Sequence, residues 1–436
     1  MKGLLILFFS SLPFFLHAQK EVRTYYDPAR KEKIQEIYHV LPDNETFVGI
    51  YQRYYENGNL MMEGSFEDGE KSGLFTEFHE NGKPARRINY VNGVRHGLVE
   101  VFDEQGTSLQ RAYYQNDILS DSIRMFFQSG ALKKETFFVK GKPEGLVKEY
   151  YPDGKLKKEI AYKKGKPNGT ARTFYGNGKI ETEANYENGI LKGYFKTYYS
   201  DGQLQTVSTM AEGSKNGQYR SYDRKGNLIL EGNFLNGLLH GDNVGYYPGG
   251  AVQHRFTYKE GKKIGTNHEY FPDGKVRIRE VGAHNGNDLT RYTYDENGML
   301  ESETKFRNEK PHGNWTFYFP GTKIPKVKET YETGKLTGTR YTYHPNGKVA
   351  TEESYKFDLL AGPFKTYYDN GQLQSSGEYR NSRKHGMFIA YYPNGKVSEQ
   401  GEYIADKKHK TWTEYDEQGN VKNTLVYRAG ILAPPK

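Results

Sequence analysis

Four histidines share one register of the sequence, and histidine is a residue type that binds metal ions. They are His96, His240, His312 and His385, each followed by glycine. Metal ligands must lie within a few ångströms of one another. Even the histidines that are nearest in sequence are separated by three of the 24-residue repeats, which corresponds to about 30 Å along a sheet. We therefore interpret these histidines as turn residues and predict no metal site.

Carboxylates recur along the chain instead of forming one acid–base pair. Glutamate stands five residues after a repeated glycine at Glu63, Glu135, Glu159, Glu183, Glu231, Glu303 and Glu352. Such repetition favours solvated cross-strand partners for lysine over a unique general acid and base. No hydrolase elbow, zinc-protease, P-loop or dinucleotide motif occurs. Because the chain also lacks cysteine, thiol chemistry is excluded. We predict no catalytic residues and no cofactor.

An aromatic and basic patch is the strongest candidate for ligand binding. Rings stand three residues before the repeated glycine in four successive repeats, and lysines lie across the predicted turn from them. The candidate ligand patch is Phe127, Tyr151, Lys155, Lys157, Tyr175, Lys179 and Tyr199. Residues 131–172 hold twelve Lys/Arg against five Asp/Glu, which attracts anionic partners. The rings either hold the lysines through cation–π contacts or form an exposed strip that stacks a sugar or accepts an acidic ligand.

These residues belong to a 24-residue repeat, which indicates a repeat array. The predicted turn glycines are Gly58, Gly82, Gly106, Gly130, Gly154, Gly178, Gly202, Gly226, Gly250, Gly274, Gly298, Gly347, Gly371, Gly395 and Gly419. The register slips by one residue near Pro320, Gly321 and Thr322. We number positions from the turn glycine, which is position 0. Repeat arrays usually present an extended surface and not one buried reaction centre.

The residue types of one repeat predict a β-hairpin. Position −4 is aromatic in all sixteen regular repeats, +2 is mostly aliphatic and +8 is mostly aromatic, which is a strand–turn–strand signal. Proline at −2 in several repeats fits a type I turn followed by a left-handed glycine. In this register −4 pairs with +2, and +8 pairs with −10. One face then carries the −4, +2 and +8 side chains together.

A second connection is marked by glycines at +11 and +15, as in Gly165 and Gly169. The first permits a left-handed turn residue, and we expect the second to leave space beside the preceding ring. The fold class that we predict is all-β, with about 17 antiparallel β-hairpins in one long twisted meander sheet. Such a sheet is stable only through contacts between adjacent hairpins.

The termini predict export. Residues 1–18 have the charged start, short apolar run and small final residue of a secretory signal peptide. Residues 19–48 are expected to form a degenerate capping hairpin, 49–430 the repeats and 431–436 a C-terminal tail. Without cysteine the chain cannot be a lipoprotein, and no segment after the signal is long and apolar enough to span a membrane. We expect a periplasmic, outer-surface or extracellular location.

The stretch 145–159, Gly-Leu-Val-Lys-Glu-Tyr-Tyr-Pro-Asp-Gly-Lys-Leu-Lys-Lys-Glu, resembles the MORN repeat family, specifically the bacterial MORN-variant group often labelled YwqK-type antitoxins. The resemblance covers nearly the whole chain after the signal. It implies a β-hairpin array used for membrane association or protein interaction, and it carries over no catalytic residues. A weaker, local likeness to YD repeats lies at 294–300.

Three functions remain open from the sequence. The first is an exported, non-catalytic scaffold that binds another protein or an envelope surface of anionic lipid or glycan. The second is a glycan- or cell-wall-binding aromatic repeat protein, and the third an antitoxin-like partner of a toxin. A hydrolase is a distant alternative. Nucleic acid is not expected as a partner of an exported chain.

Overall fold

A computed structural model describes residues 19–43, 45–282 and 287–434. The predicted signal peptide, 1–18, lies outside the described residues. The chain divides into two compact units, an N-terminal unit that ends at Gly213 and a C-terminal unit that begins at Ser214. The described residues contain β-strands and turns and no helix.

The strands of the N-terminal unit pair in succession and antiparallel. They are β1 (Lys20–Tyr25), β2 (Ile34–Val40), β3 (Phe47–Tyr54), β4 (Leu60–Glu67), β5 (Glu70–Phe78), β6 (Pro84–Val91), β7 (Val94–Phe102), β8 (Ser108–Gln115), β9 (Ile118–Phe126), β10 (Leu132–Val139), β11 (Lys142–Pro143), β12 (Gly145–Tyr150), β13 (Leu156–Lys163), β14 (Lys166–Phe174), β15 (Ile180–Glu187), β16 (Ile190–Tyr198) and β17 (Leu204–Ala211).

The strands of the C-terminal unit follow the same antiparallel succession. They are β18 (Ser214–Tyr222), β19 (Leu228–Leu235), β20 (Leu238–Leu239), β21 (Gly241–Tyr246), β22 (Val252–Lys259), β23 (Lys262–Lys263), β24 (Gly265–Tyr270), β25 (Val276–Gly282), β26 (Asp288–Tyr294), β27 (Leu300–Arg307), β28 (Lys310–Pro311), β29 (Gly313–Tyr318), β30 (Pro325–Glu332), β31 (Lys335–Tyr343), β32 (Val349–Lys356), β33 (Leu359–Tyr367), β34 (Leu373–Arg380), β35 (Arg383–Tyr391), β36 (Val397–Ile404), β37 (Lys407–Tyr415), β38 (Val421–Arg428) and β39 (Ile431–Leu432).

Within the described residues these strands form seventeen hairpins, from β1–β2 to β37–β38. The predicted all-β array of antiparallel hairpins is confirmed. In the predicted C-terminal tail, Ile431 and Leu432 form a short strand that pairs with β38.

The turn at each repeated glycine has the predicted geometry. In the repeat of Gly154, the amide of this glycine donates to the carbonyl oxygen of Tyr151 (2.9 Å), and the amide of Tyr151 donates to the carbonyl oxygen of Lys155 (2.8 Å). Gly154 has a φ of +85°, a conformation that glycine adopts without strain. This is a type I turn closed by a left-handed glycine.

The register slip near residue 321 is an insertion in one turn. The amide of Phe319 donates to the carbonyl oxygen of Ile324, which is one residue further along the chain than in the other turns. Gly321 takes the left-handed conformation there, with a φ of +67°. The hairpin absorbs the extra residue in its loop, so the strands on either side keep their pairing.

A bulge inside each hairpin changes the predicted face assignment. Tyr150 pairs with Leu156, as predicted, but the next pair is Glu149 with Lys158. Lys157 at +3 is therefore an extra residue without a cross-strand partner, and every pair beyond it is displaced by one residue. A one-residue displacement moves side chains to the opposite face of a strand.

The predicted pairing of +8 with −10 is consequently wrong. Tyr162 at +8 pairs with Gly145 at −9. The +8 ring lies on the face that carries the −7 and +6 side chains, and the −4 ring lies on the other face. We call the face with the +8, −7 and +6 side chains the core face, and the face with the −4 ring the outer face. Sequence periodicity missed the bulge because the extra residue is an ordinary lysine.

The core face holds most of the buried apolar side chains. Those at −7 and +6 include Phe75, Ile88, Val99, Ala112, Val147, Ala184, Phe364 and Trp412. Rings at +8 pack edge-on against rings at −7: the Phe66 and Phe75 centroids are 5.6 Å apart, and those of Tyr403 and Trp412 are 4.8 Å apart. The core of each unit is thus a row of aromatic contacts between successive hairpins.

The second connection is a two-residue turn. Lys164 and Gly165 have φ of +51° and +83°, and Lys163 pairs with Lys166. The left-handed glycine predicted at +11 is confirmed. Gly169 at +15 also has a positive φ, +105°, and a β-carbon there would approach only Ala161, at 3.3 Å. This glycine serves the backbone conformation, so the predicted space for the preceding ring is wrong.

Candidate binding surface

The four rings of the predicted ligand patch lie along the edge formed by the type I turns. Phe127, Tyr151, Tyr175 and Tyr199 are each half-buried, so the prediction that they form an exposed strip is wrong. The hydroxyl group of Tyr151 donates to the carbonyl oxygen of Phe174 (2.7 Å). Each such bond joins a ring at −3 to the residue at −4 of the next repeat, and so links neighbouring hairpins.

The same bond occurs in repeats outside the patch. Its donors there are Tyr55, Tyr247, Tyr368 and Tyr392, and the rings of His79 and His344 contact the equivalent carbonyl oxygen. The recurrence of tyrosine at −3 outside the patch was the signal in the sequence that these rings have a structural role.

The lysines at +1 make a second link between turns. The ammonium group of Lys155 donates to the carbonyl oxygen of Gly176 (2.9 Å) and also contacts the carboxylate of Asp153 (2.9 Å). The hydrogen bond with Lys155 holds the pKa of Asp153 below its usual range. Lys179 bonds the carbonyl oxygen of Asp201 in the same way. Both ammonium groups remain exposed at the turn edge while they bridge to the next repeat.

The Tyr151 ring makes a cation–π contact with Lys157, whereas Lys155, which was predicted across the turn from this ring, bonds a backbone carbonyl oxygen instead. The ammonium nitrogen of Lys157 lies 5.6 Å from the centroid of the Tyr151 ring, and Lys133 stands at 5.7 Å from the Phe127 ring in the preceding repeat. Contacts of this kind at exposed sites contribute about 0.5–1 kcal/mol. The rings and lysines of the patch thus stabilise the turns, and ligand binding there stays a prediction.

Aspartate replaces the ring at −3 in four repeats and closes its own turn instead. The carboxylate of Asp223 accepts from the amides of Lys225 (2.8 Å) and Asn227 (2.9 Å). Hydrogen bonds from Asn227 lower the pKa of Asp223. Asp103, Asp295 and Asp416 act in the same way. The links between turns are therefore made by some repeats and not by others.

Most of the glutamates at +5 form ion pairs on the outer face. Glu183 contacts Arg172 at 2.8 Å and Lys196 at 3.4 Å, so the predicted cross-strand role is confirmed, although Glu183 is buried and not solvated. Burial raises the pKa of Glu183, but the hydrogen bond and charge of Arg172 outweigh burial and the net pKa is lowered. These carboxylates are engaged in stabilising the sheet.

An exposed apolar patch on the outer face of the N-terminal unit was missed by the sequence reasoning. It consists of Leu74, Val91, Tyr113, Ile118, Phe137, Val139 and Leu146, and we call it the outer patch. Their exposed fractions run from 39% for Phe137 to 56% for Val139. They occupy positions −8, +7, +9 and +12 of successive repeats, from β5 to β12. Comparing these positions between repeats would have revealed the patch.

The outer patch extends over neighbouring strands. Leu98 pairs directly with Tyr113, and Phe137 pairs with Ser122 in the next hairpin. Ser122 is only 3% exposed although it lies on the outer face, which indicates that its neighbours cover it. In the C-terminal unit some pairs at −8 and +7 are polar, as in Asp242 with Thr257, and others carry one exposed apolar side chain, as in Met387 with Glu402.

A basic edge adjoins the outer patch at the two-residue turns. Lys140, Lys142, Lys163, Lys164 and Lys166 are all exposed there. They account for part of the charge excess of residues 131–172. Apolar side chains beside a cationic rim are suited to a partner surface that is apolar and anionic.

The four histidines in one register lie at +14, beside the two-residue turns. The backbone amide of His312 donates to the carbonyl oxygen of Lys305, and the Nδ1 atom of His96 lies 3.3 Å from the side-chain oxygen of Asn116. Within 19–43, 45–282 and 287–434, no group of three or more His, Asp or Glu side chains is placed to hold a metal ion. Across the same ranges, no helix has the length and apolar character needed to cross a bilayer.

Nine segments match the MORN repeat variant. They are 47–68, 71–92, 143–164, 167–188, 215–236, 287–308, 336–357, 360–381 and 384–405. Each MORN-variant segment covers one hairpin, from the strand before the type I turn to the strand after it. The resemblance to MORN repeats is confirmed for these segments, whereas the antitoxin label stays a prediction. Among curated proteins, none matches the chain.

Two solved structures align with the chain at low similarity. One is the Photorhabdus luminescens Tc holotoxin pore, with 13% identity over 96% of this chain and 24% of that chain, at a TM-score of 0.15. The other is the TcdB2–TccC3 complex without its hypervariable C-terminal region, with 11% identity over 93% of this chain and 30% of that chain, at a TM-score of 0.15. The chain spans a quarter to a third of their length, and at these scores the alignments support no shared architecture or function.

Proposed function

We propose that this MORN-variant protein is an exported, non-catalytic repeat scaffold that binds another protein or an envelope surface. The observation that carries the proposal is the outer patch with its basic edge. Monomeric proteins seldom expose a contiguous apolar strip without using it for interaction. Here such side chains occur in consecutive hairpins from β5 to β12, although exposed apolar side chains such as Met387 and Val426 also stand at equivalent positions of the C-terminal unit.

The outer patch can be tested with substitutions that leave the core face intact. In the patch variant Tyr113, Ile118 and Phe137 are replaced by serine. The matched control replaces Met387 and Val426, which are 58% and 46% exposed at the equivalent positions −8 and +7 of the C-terminal unit. The measurement is co-sedimentation of each purified protein with the envelope fraction of its host.

We expect wild type and control to bind equally and the patch variant to bind at least tenfold more weakly. The binding of wild type should persist at high salt, because apolar burial is not screened as surface charge is. Equal binding by the patch variant would refute the assignment of the surface. Failure of all three proteins to bind would refute an envelope partner.

Export rests on residues 1–18 alone. The proposal expects the mature chain to begin at Gln19 and to lie outside the cytoplasm. Mass spectrometry of the protein from its native host decides this point. An intact Met1 in the cytosolic fraction would contradict export and favour an antitoxin-like role.

A glycan- or cell-wall-binding function is the second candidate. It is supported by the exposed lysines next to rings along the turn edge of residues 127–199. Lys157→Glu tests it, because the side-chain contact that the structure shows for Lys157 is with the Tyr151 ring, so the links between turns survive. Loss of binding in this variant, together with competition by soluble saccharide, would favour the glycan function. Unchanged binding would exclude a site at Lys157.

A further inference from the structure

The aromatic row of the core face is interrupted in the C-terminal unit. The +8 position carries a ring at Tyr258 in one repeat and at Phe306 two repeats later. Between them, the +8 residue is Gly282. The repeat therefore lacks a ring at a position where its neighbours in sequence have one.

The backbone does not require this glycine. Gly282 lies outside the left-handed region, and a β-carbon built on it would have its nearest neighbours at 3.6 and 3.8 Å, the carbonyl oxygens of Gly265 and Asp288. Those are ordinary contact distances. By contrast, a β-carbon on Gly64 would lie 2.4 Å from Phe75, so that glycine is needed for packing. Gly282 leaves open a space that the fold would allow a side chain to fill.

A cavity of about 820 Å³ occupies this position. Tyr258 and Phe306 line it, so it has aromatic surface from both neighbouring repeats. Phe306 in turn packs against Trp315, with centroids 5.2 Å apart. The cavity is thus a partly open slot whose aromatic walls are held by the core face.

The polar groups that line the slot include a neutralised ion cluster. Glu280 is 5% exposed, and its carboxylate contacts Arg291 at 2.7 Å and Lys263 at 3.3 Å. Lys262, Asp288 and Glu309 also line the cavity and carry charge of both signs. Because no single charge dominates, the slot does not select a strongly anionic or cationic ligand.

We propose that this slot receives an aromatic side chain of a partner protein, which takes the place of the ring that the repeat lacks. The slot has ring-lined walls, where an inserted ring packs edge-on or offset as rings do elsewhere in the core. Its volume exceeds that of one ring, and the polar lining accommodates the amide groups on either side of an inserted residue. The proposal rests on the proposed function in that it assumes a protein partner.

The probes for this site are N-acetyltryptophanamide and N-acetyltyrosinamide, with N-acetylalaninamide as the blank. Saturation-transfer NMR with the full chain measures their binding. We expect both aromatic amides to bind and the alanine amide not to bind. Gly282→Phe should weaken their binding at least tenfold, because the added ring occupies the place of the inserted ring, and it should not lower the unfolding temperature.

The matched control is Val281→Phe, which adds the same ring one residue earlier, at a position that is 38% exposed on the outer face. It should leave binding unchanged. Gly282→Leu is a second variant that places a side chain in the slot. It tests the binding of the aromatic amides if Gly282→Phe does not fold. Unchanged binding in a folded Gly282 variant, or no binding by wild type, would overturn the proposal.

Free indole and phenol distinguish a side chain from a small aromatic compound. If they bound as tightly as the amides, the slot would not use the peptide groups, and the assignment to a protein partner would be wrong. The outer patch lies in the other unit of the chain. Failure of the wild-type protein to bind the envelope fraction would therefore refute an envelope partner and leave the result at Gly282 to stand or fall on its own.

Discussion

The hydroxyl group of Tyr175 donates a 2.6 Å hydrogen bond to the backbone carbonyl oxygen of Tyr198. Tyr175 belongs to the turn after β14, and Tyr198 is the last residue of β16. The bond therefore joins two successive hairpins through a side chain, in addition to the backbone pairing of β15 with β16. A residue that we predicted as part of an exposed ligand strip is a link in the repeat array.

Removing this hydroxyl should weaken the array without changing its packing. Tyr175→Phe keeps the ring and loses one hydrogen bond, which contributes about 1 kcal/mol. Tyr113→Phe is the control, because Tyr113 is 41% exposed on the outer face. Urea denaturation should show a lower midpoint for Tyr175→Phe only. Equal midpoints for both variants would show that the bond adds nothing to stability.

Two glycines in strands should respond oppositely to alanine. A β-carbon on Gly401 would lie 2.2 Å from the Trp412 ring, and Trp412 is fully buried. Gly401→Ala should therefore destabilise the protein by about 1–3 kcal/mol through overpacking. Gly282→Ala should be neutral or stabilise by up to about 1 kcal/mol, because the space is open and alanine suits a strand better than glycine.

Thermal unfolding of the two alanine variants measures this difference. Near-ultraviolet circular dichroism of Gly401→Ala should also lose part of the signal of the Trp412 environment. A Gly401→Ala protein as stable as Gly282→Ala would mean that the tryptophan moves aside at no cost.

Alkaline pH should destabilise the fold. Burial raises the pKa of Tyr51, Tyr331 and Tyr367 to about 12, with a further increase from hydrogen bonds to Glu36, Glu329 and Glu352 respectively. An unfolded tyrosine ionises near pH 10. At pH values between these two, the folded chain retains protons that the unfolded chain has released. Stability is therefore fully present below about pH 10 and falls as pH rises towards 12.

Tyrosinate absorbance and urea midpoints at about pH 8 and about pH 11 check the alkaline transition. The folded protein should show a group of tyrosines that ionises late, and the midpoint should fall between the two pH values. Ionisation of all tyrosines near pH 10 in a protein that stays folded would contradict the burial of these phenols.

Removing the partner of a buried carboxylate should cost stability. Arg172→Met leaves Glu183 with Lys196 as its remaining ion-pair partner, and we expect a loss of about 1–3 kcal/mol at neutral pH. The pKa of Glu183 is lowered in the wild type, so its contribution is present above the unfolded pKa and is lost as pH falls through the folded value.

Urea midpoints of wild type and Arg172→Met should therefore converge as the solution is acidified, since Glu183 becomes neutral in both proteins. Lys163→Met, at the exposed last position of β13 in the preceding hairpin, is the control for loss of a surface cation. A gap between wild type and Arg172→Met that is independent of pH would point to lost packing and not to the ion pair.

The fold was predictable where one residue type determines one backbone conformation. Glycine at position 0 with proline at −2 specifies the turn, and glycine at +11 specifies the second turn. The face assignment failed because the bulge at Lys157 has no residue signature. Apolar residues at −7 and +6, such as Val99 and Ala112, would have indicated the true core face.

The candidate site was less predictable than the fold. The acceptor of the Tyr151 hydroxyl is a backbone carbonyl, so no residue type in the sequence marks it. The outer patch is formed by residues such as Tyr113 and Phe137 that are ordinary strand formers, and only the bulge decides which face they occupy. The missing ring at Gly282 is visible in aligned repeats, but the open space beside it required coordinates.

Hydroxyl-radical footprinting of the full chain bound to its host envelope fraction tests the proposed surface most directly. We expect Leu74, Tyr113 and Phe137 to become protected from oxidation on binding, while Met387 in the C-terminal unit reacts as it does in the free protein. Unchanged oxidation of Tyr113 and Phe137 in the bound sample, or equal protection of Met387, would contradict the assignment of binding to the outer patch.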